Sequence, residues 1–278
     1  MSIKLNEKFD PLVSEWTLFV KNPNFSLVEK CLKLAEILEY PNLDMSGYIK
    51  KLNDIGSSLK LAIGQNDNPT YRISILNEHL FRHHGFKGDA DDYYNPKNNF
   101  LNAVLDKKSG IPITLSIIYT EVAKHIGLDL HMAGFPSHVV VKYGEEMIFD
   151  PFNEGKLLNI EDLEEILYQN YGEEVEFLPE FLDDITSEQI LIRMARNLKN
   201  SYAQSYAYDM AMRCINMVLA LMPDSPEEIR DKGILQERLL NYNESLGLLN
   251  RYLELNPDAE DADFVLDLIR SVREKISQ

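Results

Sequence analysis

The sequence predicts an α+β protein with a helical N-terminal part, a middle core built from a helix and an antiparallel hairpin, and an all-α C-terminal array. Three observations carry this. Apolar residues recur at helical spacing through the N-terminal third; two short apolar segments flank Gly144-Glu145; and a six-residue string recurs near the C-terminus.

Phe25 to Leu38 places Leu27, Cys31, Leu34, Ala35 and Leu38 on one helical stripe between Asn24 and Tyr40-Pro41. A second helix is expected from Met45 through Leu61. A third, Tyr71 to Phe81, gathers Ile75, Leu76, His79 and Leu80 and is broken by His84-Gly85-Phe86-Lys87-Gly88. Asp89 to Pro96 is a polar loop with a tyrosine pair. Asn99 to Leu105 is a short helix closed by Ser109-Gly110. From Pro112 to Ile126 the residues Leu115, Ile118, Tyr119, Val122, Ala123 and Ile126 form a helix; Pro112 suits its first turn and Gly127 ends it. Val139 to Val141 and Met147 to Phe149 read as paired strands. The acidic, Pro179-bearing stretch from Glu173 to Asp184 reads as a connection between domains.

Beyond Glu188 the helical pattern repeats. Leu219-Ala-Leu-Met-Pro-Asp224 returns as Leu253-Glu-Leu-Asn-Pro-Asp258, an offset of 34 residues, which is the period of a tetratricopeptide helix pair. Ala211 and Gly233 then fall where helices approach closely, Tyr202 at a large-residue position, and Gln236 and Ser245 depart from the pattern. Ala262 to Ile276 caps the stack. The expected domains are 1–70 (helical), 71–185 (core) and 186–278 (repeats).

With 28 Lys and Arg against 45 Asp and Glu, the formal charge is −17. That field repels phosphate backbones, so nucleic acid is not an expected partner. The longest apolar runs fall short of the ~20 residues of a membrane helix, no signal-like segment precedes Trp16, and two distant cysteines form no disulfide framework. A cytoplasmic protein without membrane contact is expected.

Each candidate for chemistry has a plainer reading. Cys31 lies on an apolar helical stripe with no basic or His neighbour in register, and Cys214 lies in a repeat helix beside Ile215 and Met217, which makes both buried structural thiols. His79, His83 and His84 have two-ligand spacing but no fixed third ligand, and the Asp89–Asp92 cluster lacks the order of a calcium loop. No metal and no cofactor are therefore expected. His125 and His131 show no partner. His138 and Asp150 stand symmetrically about Gly144 and so face each other across the hairpin. An Asp beside a His is the orienter–base half of a nucleophilic triad, and is also a common structural pair.

Several strings together resemble a known family: Asp92-Tyr-Tyr-Asn-Pro96, Asn99-Phe-Leu-Asn-Ala-Val-Leu105, Gly110-Ile-Pro-Ile-Thr-Leu-Ser116, Gly127-Leu128, His138, Phe149-Asp-Pro-Phe152 and Ile192-Arg-Met-Ala-Arg-Asn-Leu-Lys199. They are similar to the SirB-type transglutaminase-like bacterial family, whose members also carry a tetratricopeptide tail. The resemblance runs from about Leu76 to the C-terminus. It implies a papain-like core with a Cys–His–Asp triad in active relatives. His138 and Asp150 match the second and third members. The position of the Cys, counted back from Gly127, falls on Pro112, with Ile111, Ile113 and Thr114 beside it.

Two functions follow as expectations. In one, the chemistry is lost and the protein is a non-catalytic regulatory module that binds a protein or peptide through residues 190–278. In the other, His138 and Asp150 serve a hydrolase or acyl transferase with Thr114 or Ser116 as nucleophile, or with activated water. A ligand cleft lined by Tyr93, Tyr94 and Pro112 beside the His–Asp pair is a third possibility.

Overall fold

The computed structural model describes residues 10–277. The expected N-terminal region starts at residue 1, and its first nine residues, with any leader they would contain, lie outside those described. Two compact units emerge: Pro23–Met194, and Ala195–Gln278 together with the beginning of the chain through Asn22.

The unit Pro23–Met194 starts with three capped helices. α2 (Leu27–Leu38) opens on a reciprocal Ser26/Glu29 capping box, α3 (Met45–Ile63) on Asp44, and α4 (Pro69–Asn77) on Asn68 with Pro69 in the first turn. α1 (Pro11–Lys21) precedes them in sequence and belongs to the other unit. The expected helix from Tyr71 to Phe81 changes character midway, since Glu78–His83 is a π-helical turn. Two short parallel strands follow, β1 (Lys87–Gly88) and β2 (Ser109–Gly110), separated by α5 (Leu101–Lys107).

α6 (Pro112–Lys124) is the centre of this unit. Every residue from Pro112 to Thr120 is buried, so the helix has no solvent stripe over that length. It packs against α3 and the sheet strands β3 (His131–Ala133) and β4 (Val140–Tyr143). A Cβ added to Gly56 of α3 would lie 2.2 Å from the His125 ring just beyond α6, which explains a glycine within a helix.

β3, β4, β5 (Met147–Asp150) and β6 (Lys156–Leu158) form one antiparallel sheet in sequence order. The hairpin register differs from the expected one. Tyr143 pairs with Met147, so the loop holds Gly144, Glu145 and Glu146, and Phe149 stands opposite Val141. His138 and Asp150 are therefore not register partners: one step on, the register sets Val140 opposite Asp150, which pairs with Lys156 on its β6 side. The centre of symmetry is Glu145 rather than Gly144, which opens the turn at φ +60°.

Residues 173–184 are not a free connection. Val175, Phe177, Phe181 and Leu182 pack on a core of Ala133, Phe135, Val140, Ile148 and Leu158 with Leu163 and Leu167 of α7 (Ile160–Tyr171). Ala133 bridges Asp184, and Ile185 N–H donates to the Met132 carbonyl. The acidic composition concealed an alternation that buries aromatic side chains.

α8 (Ser187–Gln204) contributes residues to both units, with the division between Met194 and Ala195. The second unit continues with α9 (Tyr208–Leu219), α10 (Pro226–Arg238), α11 (Tyr242–Leu255) and α12 (Ala262–Ser277). A Cβ on Gly233 would stand 2.9 Å from the Leu249 side chain, the close approach expected there. Ser245, unusual at its position, buries its hydroxyl by donating to the Gly233 carbonyl at 2.8 Å. Fully buried Glu228 sits between Arg196 at 2.8 Å and Lys199 at 3.1 Å. Trp16 of α1 completes this core and donates its indole N–H to the Met217 carbonyl at 3.3 Å.

Candidate functional site

The turn Phe135–His138 sets the site. His138 N–H donates to the Phe135 carbonyl, and Ser137 adopts a left-handed φ of +54°. Such backbone in a non-glycine residue stores strain and is frequent at functional turns. Ser137 Oγ donates to the Tyr171 hydroxyl at 2.7 Å, tying the turn to the end of α7.

His138 reaches Asp150 despite the shifted register. Its Nε2 lies 3.0 Å from Asp150 Oδ1. This buried nitrogen has no other partner among the described residues, so its one polar neighbour is the carboxylate. Asp150 is wholly buried and well satisfied. Oδ1 accepts from Phe152 N–H at 2.9 Å, and Oδ2 from Asn153 Nδ2 at 2.6 Å. Burial alone would raise its pKa; the His138 ring, Asn153 and the Phe152 N–H outweigh it and hold the carboxyl below its ordinary value.

Phe152 joins the other side. Its ring stands edge-on to His138, centroids 6.1 Å apart, and to Tyr93 at 6.0 Å. A Cβ on Gly88 would come within 2.6 Å of the Phe152 carbonyl, so β1 needs a glycine to admit this residue. Tyr94 stacks edge-on with Tyr93 but is largely exposed. Tyr93 thus belongs to the site and Tyr94 to its rim.

The two candidate hydroxyls have different fates. Thr114 is buried; its Oγ1 accepts from Ile111 N–H at 3.2 Å and faces the carbonyls of Asn98 at 2.9 Å and Ile111 at 3.1 Å. It caps α6. Ser116 is fully buried with an unpartnered Oγ. Among the described residues neither hydroxyl hydrogen-bonds to the His138 ring. Pro112 occupies the first turn of α6 and is buried. Cys31 is buried against Met194 Sδ at 3.7 Å, and burial pushes its thiol far up. Cys214 is raised by burial to about 12. Both are inert by this measure.

Histidines outside the site have partners of their own: His131, for which none was expected, places Nδ1 3.1 Å from Asp184 Oδ2. His79 Nε2 lies 2.9 Å from Ser58 Oγ, 3.2 Å from the Ile55 carbonyl and 3.2 Å from His84 Nε2. Among the described residues, no group of three or more His, Cys, Asp or Glu side chains could hold a metal.

Sequence reasoning did not single out Arg193. Its Nη2 donates to the carbonyls of Phe135 at 2.8 Å and His138 at 2.6 Å, holding the strained turn from α8. The available signal was one Arg within the buried run Ile190, Leu191, Ile192, Met194 and Ala195.

Residues 46–196 match the family model described as the transglutaminase-like superfamily. The chain belongs to that superfamily. Residues 198–270 of this transglutaminase-like protein match a tetratricopeptide repeat model. A UPF0162 protein of Xylella fastidiosa is 33% identical over 82% of this chain and 83% of its own length. Protein SirB1 of Salmonella typhimurium is 26% identical, over 63% of this chain and 66% of its own. F-box only protein 21 of Mus musculus is 27% identical over 60% of this chain, which corresponds to 27% of the mouse protein. No solved structure matches significantly. Among the described residues no helix is long and apolar enough to cross a membrane.

Proposed function

We infer that this transglutaminase-like protein is a non-catalytic, cytoplasmic regulatory module that binds a protein or peptide through its repeats, residues 190–278. The observation that carries the loss of chemistry is at the start of α6. By the family resemblance Pro112, in the first turn of α6, falls where active relatives place a thiol, and the nearest hydroxyl, Thr114, is bound to backbone on every side. A nucleophile must be within hydrogen-bond reach of its base.

The repeats support binding. Tyr206 and Leu240 are 78% and 69% exposed, and a hollow beside them is lined by Tyr206, Tyr208, Asp209, Met210 and Leu239. Helical-repeat arrays use such surfaces for partners. The test compares wild type with a Tyr206→Ser/Leu240→Ser double variant. Partner capture falls in the double variant while His138→Ala retains it, and neither protein shows acyl-transfer or hydrolytic turnover. Turnover that depends on His138 would overturn the reading.

The intact contact between His138 and Asp150 favours one alternative, in which His138 is a general base toward water. That reading requires a pH-dependent hydrolysis abolished by His138→Ala at unchanged melting temperature.

A further inference from the structure

Among the described residues, nothing around Arg193 balances its charge. Both acceptors of its Nη2 are neutral carbonyls. Among the described residues no carboxylate lies within ion-pair distance of it, and Nε and Nη1 donate to nothing. Yet it is only partly exposed, and a guanidinium stays protonated under all ordinary conditions. Removing a cation from water without a counter-charge is costly, and an anion arriving from outside recovers that energy.

The neighbours are suited to such an anion. Tyr171 touches the same turn that Arg193 holds, through Ser137 at 2.7 Å, and Tyr93 stands against Phe152, which is itself edge-on to His138. The Tyr93 hydroxyl makes no hydrogen bond among the described residues. The Tyr171 hydroxyl accepts from Ser137 and keeps its own proton to donate. Phe152, edge-on to Tyr93, supplies an apolar wall. Buried Asp150 accepts the Phe152 N–H at 2.9 Å behind this wall, so a dianion would meet a second negative charge.

We propose that Arg193, Tyr93 and Tyr171 form a binding site for a monoanionic carboxylate attached to an apolar or aromatic group. The planar guanidinium edge matches a carboxylate, and the two phenols donate to it. The site lies within the unit Pro23–Met194 and goes beyond the repeat-docking reading. Either can fail without the other, because the double repeat variant leaves these three residues intact.

The full-length protein is titrated by calorimetry with benzoate and with N-acetylglycylphenylalanine. Benzamide and phenyl phosphate serve as neutral and dianionic controls. Saturable binding of either carboxylate, with the controls weaker, is expected; the tighter of the two tells a small acid from a peptide C-terminus. Tyr93→Phe keeps the ring and loses about fivefold in affinity at an unchanged melting temperature, as for one neutral hydrogen bond. Arg193→Lys keeps the charge, loses the fork and weakens binding by about tenfold or more. Equal binding of benzamide, preference for phenyl phosphate, unaltered affinity in Tyr93→Phe, or no saturable binding of either carboxylate overturns the proposal.

Discussion

Tyr206 and Leu240 stand 34 positions apart, and each occupies left-handed backbone, at φ +62° and +63°, in the turn between paired helices of the repeats. Bulky side chains seldom adopt this conformation, and glycine does so freely. Both side chains are exposed, and Tyr206 stands edge-on to Tyr208 at 6.1 Å. Replacing Leu240 with Gly should stabilise the protein by about 1 kcal/mol, read from the urea midpoint. The same variant should weaken partner capture. Loss of stability instead would show that Leu240 packs in a way its exposure denies.

The two hydroxyls of α6 make opposite predictions. Thr114→Val removes the cap of a buried helix start and should destabilise by about 1–2 kcal/mol. Ser116→Ala removes a buried hydroxyl that has no partner, so it should be neutral or stabilising. Chemical denaturation of both variants checks the contrast. A loss at Ser116 equal to that at Thr114 would mean that Ser116 has a partner.

Gly233 tolerates nothing larger. Gly233→Ala should cost about 1–3 kcal/mol, because its methyl group would press on Leu249 and on the Cβ of Leu248, 3.3 Å away. Gly144→Ala, in a turn with open space but a positive φ, should cost about 1 kcal/mol from backbone strain alone. Thermal melts of the two variants separate crowding from strain.

Acid should act in two stages. His79 and His84 have depressed pKa values, chiefly from burial. His79 is further affected by the Ile55 carbonyl, which opposes the shift, and by His83; His84 is affected by His79, Lys108 and His83. A depressed histidine contributes stability above its unfolded value of about 6.5, lost as pH falls through the folded value. Asp150 is also depressed, so its contribution is complete above about 4 and is lost as pH falls through its folded value. Asp150→Asn should therefore lower the melting temperature at pH 7 and converge on wild type in strong acid. His84→Gln should remove part of the earlier loss. A constant offset of Asp150→Asn across the whole range would contradict this.

The helical periodicities were legible because caps and apolar stripes are local signals. Ser26, Asp44 and Pro112 mark helix starts, and Gly127, at φ +67°, follows α6. The 34-residue offset was legible for the same reason. Strands of two or three residues, such as β1, β2 and β6, give too short an alternation to read. Residues 173–184 were misread because charge dominates their composition while Val175, Phe177, Phe181 and Leu182 decide their position. At the site, His138 and Asp150 could be singled out by spacing, but for an incorrect register. Arg193 acts on a turn 55 residues before it, and no local pattern encodes such a contact.

Trp16 is the chain's one tryptophan, and it is entirely buried 201 residues before the carbonyl that receives its N–H. Its emission is therefore a private signal of the repeat unit, free of any contribution from Pro23–Met194. Tyrosine absorbance follows both units, so the two probes coincide only if the units melt together. The same placement means that a fragment beginning at residue 190 would lack the indole that fills its core. During synthesis α1 must wait for α9 to leave the ribosome before its indole finds its acceptor.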